Sequence, residues 1–165
     1  MGGMAILKGF IDFKKAFDSV HRPSLWKILK YYGIPNIFKA LYINSSCCVK
    51  TASGYTEFFE IVSGVRQGCI LSPFLFIIVI DFVMYRTMDK PEYGIIWQNQ
   101  NRLTDLDFAD DIAILAEEEN VGPLCQEMTT KLEEQSAQAG LNVSREKTKV
   151  MGIIQRPSSQ PIAVA

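Results

Sequence analysis

The chain has 165 residues, enough for one domain with a buried core. Apolar residues make up 48% and charged residues 21%, an ordinary globular balance. A formal charge of −1 argues against a free-standing nucleic-acid binder, which is normally basic, but leaves room for a catalytic core whose carboxylates are offset by cations.

In chain order, residues 5–13 read as a buried strand ending in a carboxylate, Asp12. Pro23 opens a helix that Gly33 closes, and Pro35 opens a shorter one through Tyr42. Residues 46–52 and 56–62 flank Ser53-Gly54-Tyr55 as a hairpin. After the loop Ser63–Gly68, Ser72-Pro73 starts an apolar helix to about Met88. Its core from Phe74 to Tyr85 is interrupted by Asp81 and is too short to span a bilayer, so a buried helix is expected and no membrane partner.

Residues 94–98 and 102–108 form a second candidate hairpin, leading into Ala109-Asp110-Asp111 and an extended 112–115. Residues 121–139 are helical, with Leu124, Met128 and Leu132 every fourth residue and Gly140 as the stop. Lys147 to Ile154 reads as a last strand. The pattern predicts an α+β fold, an antiparallel sheet with helices packed on one face, over residues 1–154. Residues 155–165 are expected to be a flexible tail. Cys47, Cys48, Cys69 and Cys125 form no C-x-x-C spacing, so reduced, buried thiols in an intracellular protein of cytoplasm or nucleus are expected.

Asp12, Asp110 and Asp111 fall at the ends of apolar strands, where charges seldom sit unless paired or metal-bound. Adjacent aspartates on a tight turn repel each other, and Mg²⁺, which favours carboxylate oxygens, would relieve that repulsion. Two such ions about 3.5–4 Å apart can clamp the attacking and leaving oxygens of a phosphoryl transfer. Singly, each signal also fits a bland reading: a solvated turn for Asp110-Asp111, a cap or ion pair for Asp12.

Four segments strengthen the functional reading together. Phe10-Ile-Asp12-Phe-Lys-Lys-Ala-Phe17-Asp18-Ser-Val20, Gly64-Val-Arg66-Gln67-Gly68-Cys69-Ile-Leu-Ser72-Pro73, Phe108-Ala109-Asp110-Asp111 and Gly140-Leu-Asn142-Val-Ser-Arg-Glu-Lys147-Thr148-Lys149 follow in order over nearly the whole chain. They resemble the palm motifs of reverse transcriptases of the non-LTR retrotransposon type. Ile70 departs from them, standing where that family usually has proline.

The resemblance implies an RNA-directed DNA polymerase core that adds deoxynucleotides to a DNA primer 3′-hydroxyl on an RNA template. It implies two Mg²⁺ ions, with Mn²⁺ as an alternative, held by Asp12 and Asp110 with Asp111 close by. Phe13 would lend a backbone carbonyl and Phe17 would be the steric gate against a ribose 2′-hydroxyl. Gln67 and Gly68 would lie beneath the nucleotide and templating base. Lys147, ahead of Lys149, would be a general acid at the pyrophosphate. Only nine residues precede Phe10 and few follow the fourth motif, so the family's fingers and thumb are expected outside this chain, as in a fragment of a larger polyprotein. The alternatives are an inactive retroelement remnant serving as a binding or structural domain, and a metal-dependent phosphohydrolase.

Overall fold

The computed structural model describes residues 5–97, 101–118 and 123–154. The expected tail, 155–165, lies outside the described residues. Strand β1 (Ala5–Ile11) leads into α1 (Ala16–Ser19), α2 (Arg22–Tyr31) and α3 (Ile37–Ala40). His21 is the N-cap of α2 and Pro23 follows within the first turn, where the absent proline N–H costs no helical bond. His21 is therefore a helix-entry residue, its Nδ1 2.9 Å from the Ser24 hydroxyl.

The first expected hairpin forms as two short ladders. β2 (Ser46–Cys47) pairs with β5 (Phe59–Glu60), and β3 (Lys50–Thr51) pairs with β4 (Gly54–Tyr55). The pairing slips by one residue between the ladders, and the turn falls at Ala52-Ser53, one residue earlier than the sequence suggests. Next come α4 (Leu71–Thr87), β6 (Ile95–Ile96), β7 (Arg102–Leu103), β8 (Asp105–Phe108), β9 (Asp111–Glu118), α5 (Pro123–Gln138) and β10 (Lys149–Ile154).

The second hairpin differs from expectation. Residues 102–108 do not stay with 94–98: the chain breaks at Thr104, β7 pairs with β6, and β8 turns to β9. The tight Ala109-Asp110 turn brings β8 against the eight-residue β9, which offers a longer ladder than the two-residue β6.

The main sheet has the order β10-β1-β9-β8 and is antiparallel throughout. Helix α5 packs on β1 and β9, α4 on α5, and α2 on α4, so the helices build outward from one face. Ile11, Ile112, Ile114 and Ala116 point into that layer and join Val79, Val83, Met128 and Leu132 in the core. Gly9 lies on the same face, where a Cβ would come within 2.8 Å of Ile114 Cγ1. Side chains directly across antiparallel strands share a face, so Phe10, Ala113 and Leu106 turn to the other side, where Phe10 and Leu106 are exposed.

Two burial expectations need correcting. Helix α4 is apolar nearly all round, yet only one side is covered: Leu75, Phe76, Val79 and Val83 are buried while Phe74, Ile77 and Tyr85 are exposed. The helix is covered where α5 and α2 pack against it and open on its remaining side, so apolar composition did not bring burial on every side. Of the four cysteines only Cys125 is buried, and the other three are half-buried. Among the described residues, no helix is long and apolar enough to cross a membrane.

Candidate metal and nucleotide site

Asp12 follows the last residue of β1 and is half-buried. The chain beyond α5 is fastened against it. Lys14 N donates to Asn142 O at 2.8 Å, Phe13 bridges Val143, and Ser144 N donates to Asp12 O at 2.7 Å. Lys147 N and Thr148 N both donate back to Ser144 O, at 3.1 and 2.8 Å, which curls residues 145–147 into a turn. That turn aims Lys147 at Asp12, with Nζ 3.5 Å from each carboxylate oxygen. Lys147 is thus in a turn rather than on the expected strand. Lys149 is the first residue of β10, paired with Phe10 and exposed.

Asp110 and Asp111 sit in the β8–β9 turn, closed by the pair Phe108↔Asp111. Ala109 takes φ 57°, a left-handed conformation that a non-glycine residue adopts at a cost of about 1–2 kcal/mol. The β1–β9 register ends at Ile11↔Ile112, one residue before Asp12 and one after Asp111. Two central, adjacent strands therefore deliver carboxylates to the same end of the sheet.

Do these residues suit a divalent cation? The donors are hard carboxylate oxygens, and among the described residues the buried Asp12 Oδ1 accepts no hydrogen bond, with Lys147 Nζ 3.5 Å away as an ion-pair partner. Among the described residues no three acidic, histidine or cysteine side chains close into a metal cage. Mg²⁺ does not demand one, since it keeps several waters and takes one or two carboxylates together with substrate phosphates. The residues fit an ion completed by its substrate.

Phe17, on α1, stacks on the buried Phe76 of α4 with ring centroids 4.7 Å apart. The second motif lies against α1: Val65 N donates to Phe17 O at 2.8 Å, and Gln67 Nε2 donates to Asp18 Oδ1 at 3.1 Å. Gly68 has φ 81° and open space where a side chain would be. Phe13 is buried, Phe17 half-buried, and Gln67 and Gly68 exposed. The fold thus joins the first motif to the second through α1, and to the fourth through Asp12 and Lys147.

Residues 5–160 match the family model described as "Reverse transcriptase (RNA-dependent DNA polymerase)". The chain belongs to that family. This reverse transcriptase domain is 35% identical over 111 residues to a "Retrovirus-related Pol polyprotein from type-1 retrotransposable element R2" of Nasonia vitripennis, covering 65% of the chain and 10% of that protein. It is 34% identical over 112 residues to the corresponding polyprotein of the type-2 element R2DM of Drosophila melanogaster, again 65% of the chain and 10% of that protein. These relatives support a reverse transcriptase domain of the non-LTR retrotransposon type. Telomerase from Candida tropicalis shares the fold at a TM-score of 0.64 and 16% identity, over 90% of this chain and 26% of that one. The chain spans only a small fraction of the length of the curated relatives it matches.

The reverse transcriptase domain also holds features that the sequence did not single out. Asp81, which had no assigned role, accepts a hydrogen bond from Tyr32 Oη at 2.5 Å. It lines a cleft with Asp105, Asp107, Arg86, Asp89 and Lys131. Desolvation there, then the charge and hydrogen bond of Asp105, then the charge of Asp81, push the Asp107 carboxyl up to about 7. The alternation Asp105-Leu106-Asp107 is the signal that could have placed both carboxylates on one face. Arg22 is also buried, with nothing in its local sequence to mark it.

Proposed function

We propose that this domain is the palm of an RNA-directed DNA polymerase, extending a DNA primer with deoxynucleotides on an RNA template. The observation that carries the reading is the end of the β1–β9 register, which sets Asp12 beside the Asp110-Asp111 turn. Asp12 and Asp110 are the residues to hold two Mg²⁺ ions, with Asp111 nearby. Bound there, the cations would activate the primer 3′-hydroxyl and offset charge on the triphosphate.

The chain's own residues would do the rest. Phe13 presents its backbone carbonyl beside Asp12. Phe17, braced by Phe76, supplies the ring that a ribose 2′-hydroxyl would strike. Gln67 and Gly68 form the floor under the nucleotide and the templating base. Lys147 has one proton to give and a place beside Asp12 from which to give it, so it is the better supported general acid for the departing pyrophosphate than Lys149.

Primer extension on an RNA template with Mg²⁺ tests this. Extension is expected from the wild type and is lost in Asp110→Ala. Template-independent hydrolysis of a simple phosphodiester by the same carboxylates would replace the reading with a phosphohydrolase. Absence of both activities would leave a non-catalytic domain.

A further inference from the structure

Arg22, at the start of α2, is 7% exposed, and among the described residues it has no ion-pair partner. Backbone carbonyls hold it instead. Nε donates to Gly64 O at 3.0 Å, and Nη1 donates to Ile61 O at 2.5 Å and, more weakly, to Tyr42 O at 3.5 Å. Its Cζ lies 4.9 Å from the centroid of the Tyr42 ring, which offers the cation a π face. Burying a charge without a carboxylate is costly, so a guanidinium kept here has to be holding something in place.

What it holds is the loop from Ile61 to Gln67. That loop rests on α1 and the residue after it. Gly64 N donates to Val20 O and Val65 N to Phe17 O, each at 2.8 Å, and Gln67 Nε2 reaches Asp18. Gly64 has φ 77°, and a Cβ there would stand 2.8 Å from Asp18 Cα, so the two segments touch through backbone. Arg22 grips the loop at its start, Ile61, and at Gly64, where the contact with α1 and Val20 begins. The Nε and Nη1 donors are fixed in the plane of one guanidinium, a two-point hold that a lysine ammonium does not reproduce.

We propose that Arg22 is a positioning residue that sets the separation between Phe17 and Gln67, and through it the preference for deoxyribose over ribose at the nucleotide site. This rests on the reading of Phe17 and Gln67 as nucleotide contacts. Loosening the loop lets Val65 N part from the Phe17 carbonyl and Gln67 from Asp18, which widens the space where a 2′-hydroxyl is otherwise refused.

Two measurements on wild type, Arg22→Lys and Arg22→Ala decide it. In hydrogen exchange on the substrate-free chain, the Gly64 and Val65 amides should exchange at least about tenfold faster in Arg22→Lys, while β1 and β9 amides keep their protection. In primer extension with Asp110→Ala as the blank, the deoxynucleotide-to-ribonucleotide ratio of kcat/KM should fall at least about fivefold, with KM for the deoxynucleotide rising more than kcat falls. A merely structural loss lowers the amount of working protein and leaves that ratio alone. Unchanged exchange overturns the proposal, as does faster exchange with unchanged sugar preference. If Arg22→Ala does not fold, Arg22→Lys carries both measurements. Absence of Asp110-dependent extension in the wild type would sink the polymerase reading instead, and exchange alone would then decide whether Arg22 positions the loop.

Discussion

Replacing Asp107 with asparagine should stabilise the protein at pH 8 and leave its stability unchanged near pH 4. The Asp107 carboxyl is pushed from 3.8 up to about 7, first by desolvation in the cleft between β8 and α4, then by Asp105 and Asp81. Arg86 and Lys131 line the same cleft, but Lys131 is paired with Asp89. The folded protein therefore keeps a proton that the unfolded chain releases above about pH 4. Stability is lost as pH rises from about 4 to about 7, and the loss then levels off.

A shift of about three pH units, at about 1.4 kcal/mol each, sets a ceiling of about 4 kcal/mol. Asp107 is exposed as a whole residue, so solvent screening reduces this to about 1–2 kcal/mol. For a chain of this size that is a rise of about 2–8 °C in Tm for Asp107→Asn at pH 8. Thermal melts followed by circular dichroism at intervals from pH 4 to pH 8 measure it. Asparagine keeps a hydrogen-bond donor toward Asp105 and removes only the charge. A gap that stays flat with pH, or widens toward pH 4, would refute the reasoning. Asp105→Asn should flatten part of the wild-type slope, because it removes the largest neighbouring charge while desolvation, the first cause, stays.

Three further outcomes are expected. Ala109→Gly should raise stability by about 0.5–1 kcal/mol, since relief of the left-handed alanine exceeds the extra freedom glycine brings to the unfolded chain; a urea midpoint lower than wild type would contradict this. Gly9→Ala should cost about 1–3 kcal/mol in the same titration, because its Cβ would press on Ile114 at 2.8 Å in the middle of the sheet. Lys147→Met should strengthen Mg²⁺ binding to the nucleotide-free chain by up to about fivefold in calorimetric titration, because a competing cation leaves Asp12; equal affinity would show that the ion pair does not compete.

The candidate site was legible in part. Asp12 and the Asp110-Asp111 pair announce themselves because a carboxylate at the end of an apolar run is visible among its immediate neighbours. The choice between Lys147 and Lys149 was not visible in that way. Both stand near the start of a β-like run, and only the bonds from Lys147 and Thr148 to Ser144 show that the strand begins at Lys149 and that Lys147 turns toward Asp12. The same limit explains the misplaced hairpin. Residues 102–108 have strand character throughout, and which partner each half takes depends on competing ladders far apart in sequence.

By itself the sequence determined the longer helices and strands, their order, and the four motifs that mark a reverse transcriptase, since periodicity, turn residues and strand-end charges are local properties. The tertiary structure alone decided the β10-β1-β9-β8 order, the exposed side of α4, the acidic cleft around Asp107, and the carbonyl cage of Arg22. Each of these brings together groups that are distant in sequence. Register and burial follow from the packing of the whole chain, and a side chain's charge does not reveal which distant carbonyls or carboxylates it will meet.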